Sequence, residues 1–487
     1  AALRVAAPRL LAAFLAAAAL APGLALAALG LAAPALAADP LPFFDARHVL
    51  RRHHPEMASF AKQAKPVIAK ANAALLAAER ERRGVGCARQ IFVELRWRIN
   101  STVDVAAARD NLARLEAALR DLGSPASRDA NILPQDGEGS YGGCDREWFW
   151  KLDDSDDELL DPSGWHGKIP PRFLERVNTP ASLIAYLEKI ITCDPARENV
   201  DRRKELNMAT AELSRVVLRG GVAGYLARPE FRTAFRAFLD LWQDPATGFF
   251  GEWYMDRGRL IKTADLSVTF HMARYTKGKI GHWRQLIDTL IAIKDRPYPQ
   301  GWLDDDGMTN HNNYDVAELF RLGWPHMRED QRRAARAEIS RMLDWSLTHS
   351  IGPDGEIAAT GAAEPLGDMY YFASAFLDSI GYFDKRKRFW TDADFPRAEA
   401  LRAALEAKAR LMASDAPFAR STLARLAPAR YRDNVIAVHG APLPARLSAV
   451  RRVPMLRLMD VRPLLAHDGG GRPAGGMGLF HIGEPAP

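Results

Sequence analysis

The chain has only three cysteines in 487 residues, and a net charge of +6 left over from 66 basic and 60 acidic side chains. Cys87, Cys144 and Cys193 leave one thiol over however they pair, so no disulfide framework holds the fold. At most one bridge forms in an oxidising compartment, with three pairings open. The charge is spread along the chain and no basic cluster is interleaved with aromatics, which argues against nucleic acid as a partner. Neither the G-x-S-x-G of serine hydrolases nor a glycine-rich phosphate loop occurs, so acyl transfer by that route and nucleotide use are not expected. His271, His282, His311 and His326 fall into no H-E-x-x-H or other tight ligand spacing, so no metal site and no cofactor is expected. The acidic run LDDSDDELLD lacks the glycine and terminal glutamate of a calcium hand and reads as a solvated loop.

What is present is a repeat. Between residues 248 and 381 a glycine-punctuated polar loop is followed three times by a cap-forming acid or amide and then by a glycine: Asp265 with Gly278, Asn310 with Gly323, Asp368 with Gly381. A cap side chain accepts from an unpaired N–H of the first turn, and the glycine takes the left-handed conformation that ends a helix. The loops GFFGEW, GWLDDDG and GPDGEI precede these segments, and longer amphipathic stretches near 281–294, 328–349 and 395–413 follow them. This is a helix-hairpin repeat with spacings of 45 and 58 residues between caps. One hairpin cannot bury its apolar face alone, so successive hairpins stack or close into a ring. The fold class expected is all-α, an α/α toroid or incomplete toroid. Its aromatic-rich first helices, carrying Phe270, Tyr275, Phe320, Tyr370, Tyr371, Phe372 and Phe376, line the inside, and the charged second helices form the outside.

Four regions follow from the pattern. Arg4 and Arg9 precede an uncharged Ala/Leu stretch that closes on Ala35-Leu36-Ala37, the pattern of a secretory signal peptide over 1–37. The expected location is the periplasm or the exterior, with no stable membrane insertion once the signal is cleaved; an uncleaved anchor is the alternative. Residues 45–240 show three-to-four apolar spacing and read as an N-terminal helical region of the same toroid, interrupted by a polar surface loop over about 122–170. Residues 241–414 hold the hairpin repeats. From 415 to 487 the composition shifts to Ala, Pro, Arg and Gly, a low-complexity tail that reads as a disordered segment or an out-of-frame translation and is assigned no function.

The string QDPATGFFGEW (243–253) followed by a helix resembles the glutamine–glycine–tryptophan repeat signature of the terpenoid cyclase and protein prenyltransferase toroids, over about residues 240–395. The resemblance implies the fold, with Gln and Trp bracing neighbouring hairpins, and not the activity. Prenyltransferases need an Asp/Cys/His zinc site in the toroid, and no cysteine follows Cys193. Asp154-Ser155-Asp156-Asp157 formally matches the acid motif of class II cyclases but lacks the apolar, aromatic surroundings that would protonate one carboxyl.

Chemistry suited to an exported toroid is polysaccharide cleavage, by β-elimination in lyases or by paired carboxylates in hydrolases. Elimination beside a uronic acid needs a group that neutralises the substrate carboxylate, a base for the C5 proton and an acid for the leaving oxygen. Asn310, His311 and Tyr314 in DDDGMTNHNNYD are of the right types, with Asp315 beside them, and toroidal alginate and chondroitin-type lyases use a similar set of Asn, His, Tyr and Arg. An arginine partner is not evident in the sequence. Glu252, Trp253, His271, Trp302, Asp305, Tyr370 and Tyr371 are the candidate substrate-binding residues, the tryptophans as sugar platforms or as braces between hairpins. The same asparagines also suit plain capping and turn roles. The alternative function is a non-catalytic toroid that binds an extracytoplasmic ligand or serves as an envelope scaffold.

Overall fold

The computed structural model describes residues 41–427 except 86, 123–134, 142–143, 145–146, 162–163, 306, 359–363 and 413–417. The expected signal peptide and the tail beyond 427 lie outside the described residues. The described chain is mainly helical: α1 (Ala46–His53), α2 (Pro55–Arg80), α3 (Cys87–Ser101), α4 (Val105–Arg120), α5 (Trp148–Asp154), α6 (Asp156–Leu159), α7 (Pro180–Ile191), α8 (Pro195–Glu198), α9 (Arg203–Arg219) and α10 (Pro229–Trp242), then α11 (Leu266–Tyr275), α12 (Trp283–Ala292), α13 (Asn310–Gly323), α14 (Glu329–Trp345), α15 (Leu366–Ser379), α16 (Ala398–Ala409) and α17 (Ala419–Leu426). Among the described residues no helix is long and apolar enough to cross a membrane.

A single row of neighbours organises the fold. Helices α5, α9, α11, α13, α15 and α17 pack side by side in that order, while α12 and α14 pack on α13, and α16 on α15 and α17. The three segments α11, α13 and α15 are therefore helices, and they pack against one another. One core of buried side chains runs through them from Phe249 to Leu426, with Phe270, Phe320 and Phe376 at most 2% exposed. These three phenylalanines fill the core between helices instead of lining a cavity. A second apolar cluster, built on Phe60, Leu75, Phe92 and Leu95, joins α2, α3 and α4.

Helix ends show which signals were local. Asp265 caps α11 by accepting from the Val268 N–H, and Gly278 follows at φ +73°. At α13 the cap is Thr309, which accepts from the Asn312 N–H, so Asn310 is the first helical residue and not the cap. Gly323 ends that helix with ordinary helical φ of −78°. It is needed for close approach: a Cβ there would meet the Trp283 ring at 2.9 Å. Asp368 lies inside α15 and caps nothing. The first N–H of that helix, Leu366, donates 2.8 Å to the Glu79 carboxylate on α2, and Glu79 is itself paired with Arg89 at 2.7 Å. Gly381 does take the left-handed conformation, at φ +70°.

The repeat loops are less polar and less open than their composition suggests. Phe249, Phe250 and Glu252 of GFFGEW are at most 1% exposed. Trp253–Asp256 forms β2, which pairs antiparallel with β3 (Arg259–Lys262) and parallel with β1 (Thr192–Cys193). Arg257 and Gly258, both at positive φ, make the two-residue turn that suits strand twist. Gln243 bonds Gly248 O, Gly281 O and Gly281 N, tying the end of α10 to the turn after α11. Trp302 is 3% exposed, edge-on to Phe320, and is a brace and not a sugar platform. The acidic run at 152–161 is also not a solvated loop: it closes α5 and forms α6, with Ser155 buried and Asp156 paired to Arg215 at 2.6 Å. Cys87 and Cys144 are joined in a disulfide, and Cys193 is buried and free.

Candidate functional site

Polar side chains recur on one face of each helix in the row. On α11 they are Ser267, His271, Arg274 and Tyr275; on α13, His311, Asp315 and Glu318; on α15, Asp368 and Tyr371. Spacings of three and four residues keep such groups on one helical face. His271, Asp315 and Tyr371 stand at the sixth position of their respective helices. On the same reasoning Asn310 and Asn313 point elsewhere. Asn310 Nδ2 donates to Ser350 Oγ at 2.8 Å, and its Oδ1 accepts from Ser346 Oγ at 2.8 Å, so its amide is committed to structure. Asn312 donates to Trp302 O. The asparagine expected to neutralise a substrate carboxylate is thus excluded from that role.

His311 is placed differently. Its ring stacks on Phe372 at 4.0 Å, Nδ1 lies 3.2 Å from Glu364 Oε1, Nε2 lies 4.0 Å from Asp315 Oδ2, and 29% of the side chain stays exposed. Its partners are carboxylates and not backbone. Burial works against a charge on this ring, but the Glu364 bond and the fields of Asp315 and Asp304 outweigh it and lift the imidazolium pKa to about 9. His311 is therefore a cation at neutral pH. Asp315 has no hydrogen-bond partner on either oxygen, and burial raises it to about 7 against the pull of His311 and Arg274.

The arginine absent from the sequence reading is supplied twice. Arg425, from α17, donates 3.2 Å to the hydroxyls of both Tyr314 and Tyr371. Arg274 lies against the rings of Phe270, Tyr275 and Tyr314 at 5.6 to 5.7 Å and its charge acts on Tyr371, with no carboxylate at ion-pair distance among the described residues. Burial resists ionisation of Tyr371, yet the two guanidiniums prevail and bring its phenol down to about 7. Tyr314 shares the same cations, but burial and the Tyr371 charge keep it well above its ordinary value, so Tyr371 ionises first. Tyr371 is 7% exposed, and Phe418 stacks on it at 4.5 Å. The expected tail boundary at 415 therefore cuts off a helix that belongs to the site. Nothing in the Ala/Arg composition of that segment distinguishes Arg425 from a solvated residue.

The remaining candidates divide. His271 bonds Asn207 at 3.2 Å and stacks on Tyr275 at 5.5 Å, and burial with Arg274 nearby keeps it neutral. Tyr370, one residue from Tyr371 and so turned about 100° from it on the helix, has Glu356 and Ile357 for surroundings and is no part of this cluster. Glu252 is fully buried beneath the β-hairpin beside Asp201 and Asp265, with neither oxygen bonded, and lines no open surface. Trp253 is half-buried under the Lys262 ammonium at 4.5 Å, and Asp305 is exposed at the loop near Arg96. Asp265 is held by Arg203 at 2.7 Å. Among the described residues no group of three or more His, Cys, Asp or Glu is arranged to hold a metal ion. No family model, curated protein or solved structure matches this chain.

Proposed function

We propose that the chain is an exported polysaccharide lyase on an α/α toroid, acting by β-elimination on a uronic-acid-containing glycan. The observation that carries this is Tyr371 held between Arg274 and Arg425, beside a cationic His311. Elimination begins by removing a proton from the carbon next to a carboxylate, which is feasible only if the carboxylate charge is neutralised. His311 and Arg274 supply positive charge for that. The Tyr371 phenolate takes the C5 proton; the electron pair forms the C4–C5 double bond as the C4–O bond breaks. The phenol so formed returns its proton to the leaving oxygen. Asp315 and Glu364 act through His311, holding its ring and its charge.

Two further features support the reading. The row of repeat helices with second helices packed behind it is what a toroid wall requires. The Cys87–Cys144 bridge suits an oxidising compartment outside the cytoplasm. The test uses the purified protein with Tyr371→Phe and His311→Ala, incubated with uronic-acid and neutral polysaccharides while unsaturated-product absorbance and reducing ends are followed together. Absorbance from the wild type that both variants lose is the expected result. Reducing ends without absorbance would replace the lyase by a hydrolase, and glycan binding without either signal would leave the non-catalytic toroid.

A further inference from the structure

A second pair of cations lies apart from the Tyr371 cluster. Arg96 stands on α3 and Lys204 at the second position of α9, and neither has an ion-pair or hydrogen-bond partner among the described residues. The other interior cations on α9 differ: Arg203 is held by Asp265 at 2.7 Å and Arg215 by Asp156 at 2.6 Å. The Lys204 ammonium sits 5.0 Å from the Trp150 ring, whose indole N–H is buried without a partner. Arg96 and Lys204 are both half-buried, so water reaches them although protein surrounds them.

The charges facing this pair do not satisfy it. Lys204 feels Asp153 from α5, Arg203 beside it, Arg96 from α3 and Asp368 from α15. Burial pushes Asp368 well above the carboxylate range, toward its neutral form. Arg96 feels Asp304, Asp305 and Glu364, of which Glu364 is engaged by His311 and Asp304 is raised by burial. Burial lowers both cations, Lys204 to about 8, the direction expected of positive groups short of a counter-charge. Arg203, next to Lys204 in the chain, donates to Tyr298 Oη at 3.3 Å, and the Tyr298 ring lies 6.1 Å from that of His311, so the pair adjoins the His311 site; Arg96 and His311 also feel the same two carboxylates, Glu364 and Asp304.

We propose that Arg96, Lys204 and Trp150 form an anion subsite that binds the carboxylate of a second sugar, so that the ligand is a polyuronate carrying acids on neighbouring units. The inference rests on the lyase reading for the placement of the first sugar at His311. The buried Trp150 ring backs the Lys204 ammonium, and the two cations form charge-assisted bonds to the carboxylate of the second sugar.

Calorimetric titration of the full chain with homopolymeric uronate tetrasaccharides, and with the same oligosaccharides after carboxyl reduction, tests this. The wild type is expected to bind at least one uronate and to lose at least about tenfold in affinity for its reduced form, the loss of one charged hydrogen bond. Lys204→Met and Arg96→Gln are expected to weaken uronate binding by at least about tenfold each, while Lys204→Arg retains most of it. Equal affinity for charged and reduced forms, unweakened binding by a folded Lys204→Met, or no uronate binding at all would overturn the subsite. The His311 site alone would also favour the charged form, so the variants decide the matter, and Arg96→Gln tests the subsite independently where Lys204→Met does not fold. Uronate binding lost in the variants, with no unsaturated product from the wild type, would keep the subsite and remove the lyase.

Discussion

Replacing Glu252 by glutamine should make the protein more stable, by an amount that grows with pH. Glu252 is fully buried and neither carboxylate oxygen has a hydrogen-bond partner. Burial, then the charges of Asp201 and Asp265, push its pKa well above the ordinary value, so the folded protein keeps the proton. In the unfolded chain the same carboxyl ionises near pH ~4.3. Above that pH folding takes up a proton, and stability falls by about 1.4 kcal/mol per pH unit until the folded pKa is reached. Below it both states are protonated and the effect vanishes. The amide that replaces the carboxyl does not titrate. Urea unfolding of both proteins at a series of pH values should therefore give a stability difference in favour of Glu252→Gln that widens by about 1.4 kcal/mol for each unit above about pH 4.3. A constant difference would refute the reasoning, because it would mean that Glu252 is ionised in the folded protein.

Difference absorbance should detect one phenol ionising near pH 7 in the wild type, absent in Tyr371→Phe and moved up toward the ordinary tyrosine value in Arg274→Gln or Arg425→Gln. A wild type with every tyrosine titrating near about pH 10 would contradict the Arg–Tyr arrangement. Gly323→Ala should lower stability by roughly 1–3 kcal/mol, because the added methyl meets the buried Trp283 ring, and thermal melting measures it. Glu79→Gln should cost about 3–5 kcal/mol, since it leaves buried Arg89 without its counter-charge and weakens the acceptor for Leu366 N–H; an unchanged melting temperature would count against that link. Reduction of Cys87–Cys144, which closes a 57-residue separation, should lower stability by about 2–5 kcal/mol, read from urea unfolding with and without reductant.

Signals carried within one turn of chain were legible in the sequence. Asp265 and Gly278 delimit α11 as read, because cap and stop both act on their nearest neighbours. Asn310 is one residue from the true cap, since Thr309 offers the same chemistry next door. Asp368 misleads because the donor at the start of α15 is satisfied by Glu79, 287 residues away, which no local pattern encodes. At the site, His311, Tyr314, Asp315 and Tyr371 do share one neighbourhood. Asn310, Trp302 and Tyr370 do not join it, because adjacent helical residues point about 100° apart and residue type alone does not reveal the face. Arg96, Lys204, Arg274 and Arg425 went unseen because basic residues on a helix ordinarily mark solvent. A polar row at Ser267, His271 and Arg274 on an otherwise buried helix was the signal available for Arg274.

The position of Arg425 also sets when the site comes into being. A chain emerging from its N-terminus can dock α11, α13 and α15 and bury Tyr314 before α17 exists. Until residue 425 is in place, Tyr371 lacks one of the two cations that ionise it. The last helix of the described fold thus works as a completion check: the Tyr371 phenol keeps its proton in partly made protein and gives it up near neutral pH only when every preceding layer has been laid down to receive Arg425.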